Sequence, residues 1–170
     1  MGHWPSRNGG GLMRRLGGFV PGFKAAAPID TMEVELSTAD AHTTSYDTID
    51  FDTVVRDTGG WFDTTNHRWT PTHTGLYFHT VQVRFAAAEN PYYSFYDVTN
   101  AATLLNIQTY YLFGAGATYT YFWSWQHWCE GGNTYDIRLY TRSASSVSAD
   151  DDTRLMVTGP LVTTGGAPLV

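Results

Sequence analysis

A chain of 170 residues has room for one domain of ordinary size and an appendage, and its 42% hydrophobic and 15% aromatic content excludes a disordered polymer. Only 15% of residues are charged and Lys24 is the one lysine, which argues against charge-laced surface helices and coiled coils. The charge is also split: Arg7, Arg14, Arg15 and Lys24 precede the first carboxylate, Asp30, while six arginines face all sixteen Asp and Glu after it, so a +4 segment leads a −10 body. Such a body repels phosphate, so no nucleic-acid groove is expected on it, and four cations give the segment only a weak footprint on nucleic acid. No apolar run approaches the ~20 residues of a membrane span. The N-terminus lacks the apolar stretch of a secretory signal, so none is expected. Cys129 stands alone, so neither an intrachain disulfide nor a thiolate metal cluster can form.

Residues 1–31 read as an extended arm. Seven glycines and Pro5, Pro21 and Pro28 break any helix longer than about two turns. Yet the arm carries Trp4, Leu12, Met13, Leu16, Phe19, Val20 and Phe23, apolar cargo that a solvated linker does not need. A glycine-rich segment makes too few internal contacts to offset about 1–2 kcal/mol of backbone entropy per residue. The arm is therefore expected to dock on a partner, with Trp4, Phe19 and Phe23 filling pockets and the cations Arg7, Arg14, Arg15 and Lys24 meeting acidic groups; the plainer alternative is that it packs on its own domain.

From Met32 the hydrophobic period becomes two, and the 24 threonines, 11 Tyr, 9 Phe and 6 Trp suit a pleated, half-buried surface. Met32 to Leu36 alternates, and so do Ile49 and Phe51 with Asp50 and Asp52. Trp61-Phe62 and Arg68-Trp69 flank a turn near Asn66, a hairpin pattern. Leu76 to Phe85 reads as a long strand with Tyr77, His79, Val81, Val83 and Phe85 on one face. Tyr92 to Val98 and Leu104 to Leu112 follow. In Thr118 to Trp128, Tyr119, Tyr121, Trp123 and Trp125 form a ladder opposite Thr118, Thr120, Ser124 and Gln126. Glu130 to Asn133 is a turn, Tyr135, Ile137 and Leu139 mark a buried strand face, Ser143 to Asp152 reads as a polar loop, and Arg154 to Leu161 closes the domain. Eight to ten antiparallel strands over 32–162, with 163–170 as a tail, mean an all-β sandwich or jelly roll.

The spacing Phe51-x5-Asp57-x4-Phe62-x6-Trp69-x5-Gly75-x-Tyr77 resembles that of the globular heads of complement subcomponent q, relatives of tumour necrosis factor. Trp69 stands where Phe is usual, and His79 replaces an aromatic. The resemblance extends loosely to Glu130–Tyr135 and Thr153–Val162, and leaves the arm outside it. It implies a jelly roll that forms a homotrimer about a three-fold axis through aromatic and aliphatic side chains, and that binds without catalysing. The residues themselves leave open whether the Tyr119–Trp125 ladder and the Tyr77/His79/Val81 face are core or trimer contact.

No nucleophile, base and orienting group assemble in the sequence. His3, His42, His67, His73, His79 and His127 lack H-E-x-x-H spacing, and there is no G-x-S-x-G elbow or phosphate loop. No cofactor and no enzyme activity are expected. Asp150, Asp151 and Asp152 could offer oxygens to calcium, but adjacent carboxylates cannot all face one ion and no D-x-D-x-D-G pattern is present, so a solvated acidic loop is the favoured reading. A small trimeric head with a glycine-rich arm fits a virion surface protein, a phage capsid-decoration (cement or head-fibre) protein whose arm contacts capsid or another virion protein. The alternative is a recognition module, a tail-fibre tip or secreted domain that stacks cell-surface glycan on Tyr92, Tyr93, Tyr110 and Tyr111.

Overall fold

The computed structural model describes residues 29–42, 44–85, 91–108, 119–141, 145–147 and 150–163. Residues 1–28, with the arm's side chains named above, lie outside them. Two antiparallel sheets face each other. In chain order the strands are β1 (Asp30–Leu36), β2 (Asp40–His42), β3 (Asp47–Thr48), β4 (Thr53–Asp57), β5 (Phe62–Asp63), β6 (Arg68–Trp69), β7 (Gly75–Phe85), β8 (Tyr92–Asp97), β9 (Ala102–Gln108), β10 (Tyr119–Cys129), β11 (Tyr135–Tyr140), β12 (Ser145–Val147) and β13 (Asp150–Thr163). In the first sheet β7 is central, flanked by β10 and β13; β1 and then β4 follow outward from β13, and β12 joins β2 to the end of β7. The second sheet runs β5-β6-β11-β8-β9, with β3 also on β11.

Side-chain alternation explains the layering. On β7, Tyr77, His79, Val81, Val83 and Phe85 are buried between the sheets, while Leu76, Phe78, Thr80, Gln82 and Arg84 point outward. β10 runs beside β7 in unbroken register from Tyr119↔Phe85 to Cys129↔Gly75. From the other sheet, Tyr93, Phe95, Tyr135, Ile137 and Leu139 close the core. Aromatic rings dominate its centre. Trp69 lies 5.1 Å from Tyr135, 5.4 Å from His79 and 5.8 Å from Tyr77, spacings at which ring pairs add about 0.5–1.5 kcal/mol each beyond area burial.

The sandwich departs from the sequence reading in its connections. There are thirteen strands among the described residues, not eight to ten, because the path between β1 and β7 breaks into two- to five-residue pieces. Ile49 and Phe51 are buried but lie in an extended connector, since Phe51 N donates back to Ile49 O and Ile49 N is taken by Ile137 O. The strand is instead Thr53–Asp57, whose Val54 and Val55 are exposed at the sheet edge. The expected loop at 143–152 contains β12 and the start of β13. Val147, buried and paired opposite Phe85, anchors the former, and Asp150 pairs with Leu36 in the latter. The strand expected at Leu104–Leu112 begins two residues earlier, and its part beyond Gln108 lies outside the described residues.

Candidate functional site

The six family-spaced residues all do structural work. Phe51, Trp69 and Tyr77 are core, and Phe62 packs against it half-buried. Asp57 accepts a hydrogen bond from Phe62 N (2.8 Å), which fixes the approach to the β5–β6 hairpin. Tyr77 Oη donates to His73 O (2.6 Å). Gly75 is required by contact, because a Cβ there would sit 2.4 Å from Val162 O and 2.6 Å from Pro160 Cβ. His79 takes an aromatic's place as a ring. It stacks on Trp125 at 5.0 Å and 4° and meets Phe95 at 4.9 Å. Its nitrogens make no well-formed hydrogen bond, and burial, with His127 nearby, pushes its pKa down to about 3. The Cys129 thiol is buried and pushed up by that burial.

The Tyr119–Trp125 ladder turns inward. Tyr121 packs edge-on to Phe85, Trp123 lies on Tyr93, and Trp125 lies on His79 and Phe95. Sequence reasoning passed over the opposite side of the same strand. Phe122 is 64% exposed, and Trp128, Phe78 and Met156 are exposed with it on the outer face of β10, β7 and β13. On β10 that face reads Thr120, Phe122, Ser124, Gln126, Trp128 and holds no charge. Charge enters the face on the neighbouring strands: Arg84 of β7 stands opposite Thr120, and Arg154 of β13 pairs with Glu33 (3.2 Å) and Glu35 (3.7 Å) of β1. Two large aromatics on the polar side of an alternating strand were the available signal.

The outer face of the second sheet is polar and recessed. At its centre Asp136, whose side chain is fully buried, accepts two hydrogen bonds from Arg138 (3.0 and 3.3 Å) and one from Thr48 (3.1 Å). A second arginine, Arg68, approaches the same carboxylate with Nε at 3.5 Å. Arg138 also lies 3.3 Å over the Tyr96 ring, a cation–π contact. One cleft of about 160 Å³ opens beside Arg138, bordered by Tyr46, Tyr96, Thr103 and Asn106. Another, of about 280 Å³, lies between the hairpin and the turns after β8 and β10, bordered by Asp63, Asn66, Arg68, Thr70, Thr99 and Thr134. Its walls are pinned. Asp97 takes hydrogen bonds from Asn100 N, Asn100 Nδ2 and Asn133 Nδ2, and Val98 N donates to Thr134 O.

Of the tyrosines expected to stack glycan, Tyr93 cannot, because it is buried in the core; Tyr92 is half-buried against Tyr140, and Tyr110 and Tyr111 lie outside the described residues. Residues 150–152 begin a strand, not a loop, and their side chains are outside the description. Among the described residues no group of three or more His, Cys, Asp or Glu is placed to hold a metal.

This arrangement of sheets is found in known structures. The chain is similar to Eiger TNF from S. frugiperda (TM-score 0.62, 13% identity, 85% of this chain and 99% of that one). It is also similar to murine APRIL (TM-score 0.57, 12% identity, 77% and 98%) and to the globular domain of zebrafish complement 1qA (TM-score 0.56, 9% identity, 81% and 99%). The head has the jelly-roll fold of tumour necrosis factor and complement q. At these identities the likeness is one of fold. No protein-family model and no curated protein matches the sequence. In jelly-roll terms the apolar strip and the polar clefts occupy the outward faces of the two opposed sheets.

Proposed function

We propose that the chain is a non-enzymatic virion surface protein, a homotrimeric capsid-decoration head of cement or head-fibre type carried on its particle by residues 1–31. The observation that carries the trimer is the outer face of β10, which holds no charge and exposes Phe122 and Trp128, with Phe78 opposite Gln126 on β7 and Met156 opposite Thr80 on β13 also exposed. An apolar strip of this kind on a lone domain invites indefinite association, whereas a closed three-fold ring buries it and leaves no open end. The complement-q resemblance points the same way. The virion assignment rests on the arm, whose aromatics and four cations suit docking on an acidic protein surface. Substituting Phe122→Asp in the full chain tests the trimer: the variant is expected to run at one-third of the parent's native mass with its fold intact, and an unchanged mass would overturn the reading.

A second reading is a recognition module, a fibre tip or a secreted binding domain. The two polar clefts on the second sheet favour it, being recessed, hydrogen-bond-rich and on the face turned away from the apolar strip. The two readings are compatible, because a trimer closed through the first sheet presents three copies of the second.

A further inference from the structure

The geometry points to the larger cleft, beneath the β5–β6 hairpin, as a binding site for a sugar residue that carries one carboxylate, of the hexuronic or sialic type. The inference deepens the recognition reading, and it does not depend on the trimer because one chain builds the whole cleft.

Charge fixes the first part of the ligand. Asp136 is already met by two hydrogen bonds from Arg138 and one from Thr48, so Arg68 brings it a second cation. Arg68 approaches that carboxylate with Nε at 3.5 Å, and that buried Nε makes no hydrogen bond. With its side chain 35% exposed on the cleft, the guanidinium sits beside Asp136 with donor capacity left to offer a ligand. A planar fork of this kind fits a carboxylate in bidentate fashion. The surroundings limit the ligand to a single negative charge. Asp63 lies opposite Arg68 in the hairpin, its carboxyl held below the usual range first by the Asn66 side chain and then by the Thr65 amide, and the body as a whole is strongly acidic. Polyanions are repelled by such a surface.

The remaining lining selects hydroxyl groups. Thr99 Oγ1 accepts from Thr134 N (2.9 Å) and keeps its own proton to donate; Thr70 and Thr134 share one hydrogen bond (3.0 Å) and retain further acceptor capacity; Asp63 Oδ2, bonded to Asn66 Nδ2, can accept again. Val98 is the single apolar lining residue. At about 280 Å³ the cleft is near the small end of ligand pockets, sized for one ring and not for an apolar side chain's worth of greasy surface.

The test titrates sodium D-glucuronate, D-glucose and sodium acetate separately into the ¹⁵N-labelled full chain. Glucuronate is expected to give saturable shifts at the Thr99 and Thr134 amides and at Arg68 Nε–H, with glucose and acetate each weaker by about tenfold or more. Arg68→Gln should reduce glucuronate binding by a similar factor. Thr134→Val, which leaves the guanidinium in place, should weaken glucuronate and leave acetate unchanged; it decides the matter should Arg68→Gln fail to fold. No saturable shift, equal binding of glucuronate and either control, or full binding by both variants would overturn the site. Native mass measured on the same sample separates the two ideas, because a monomer that binds glucuronate sinks the trimer and spares the cleft.

Discussion

His79 and Gly75 show how single positions carry the sandwich. His79 occupies a place shaped for an aromatic ring, wedged among Trp69, Phe95 and Trp125, and that choice has a pH cost. Its folded-state pKa of about 3 lies below the ordinary 6.5, so below pH 6.5 the unfolded chain binds a proton that the folded chain refuses until about pH 3. Stability from this residue is intact above pH 6.5 and falls as pH drops, by about 2 kcal/mol at pH 5. Urea unfolding at pH 7 and pH 5 should show that loss in the parent, and His79→Phe should remove it; equal losses in both would contradict the assignment. His127, also lowered by burial, faces Phe95 from β10 and contributes in both proteins, so the difference between them isolates His79. Gly75→Ala meets backbone at Val162 and should cost about 1–3 kcal/mol, seen as a lower Tm; an unchanged Tm would mean β13 yields there freely.

At the scale of strands, the proposed association rests on the outer face of β10. Phe122→Asp places charge at the centre of the exposed strip without touching the core, so the change expected is in association and not in folding. Urea midpoints at high dilution should agree with the parent within about 0.5 kcal/mol, while sedimentation at higher concentration should separate the two. The same strand shows what a sequence discloses. Period-two alternation made the strands β1, β7, β10 and β11 legible, because a half-buried strand must alternate, but it left open whether the aromatic faces of β7 and β10 are core or contact surface. The pieces β2, β3, β4 and β12 were illegible: each is two to five residues long and is held by partners distant in sequence, as Val147 is by Phe85. Of the polar clefts, the hairpin was foreseen and its chemistry was not. Asp136 and Arg138 share a face by i, i+2 spacing, but nothing local says that Arg68, arriving from another strand, meets the same carboxylate.

The whole molecule is a charge-divided object: the first 29 residues carry four cations and no carboxylate, and the acidic remainder folds into two sheets that offer unlike faces. β1 pairs along β13, and deletion of residues 1–31 removes Asp30 and Thr31 from the start of β1 while leaving its buried Met32, Val34 and Leu36. A chain lacking residues 1–31 is therefore expected to keep its fold and its self-association while losing attachment to the particle, which co-sedimentation with that particle would reveal. Attachment undiminished by the deletion would shift the docking role to the head. The most direct test of the account is the native mass of the full chain and of the chain lacking residues 1–31, by sedimentation equilibrium. The account predicts three times 18.9 kDa for the full chain and a trimer of the correspondingly smaller protomer for the truncated one. A monomer in both forms would contradict it.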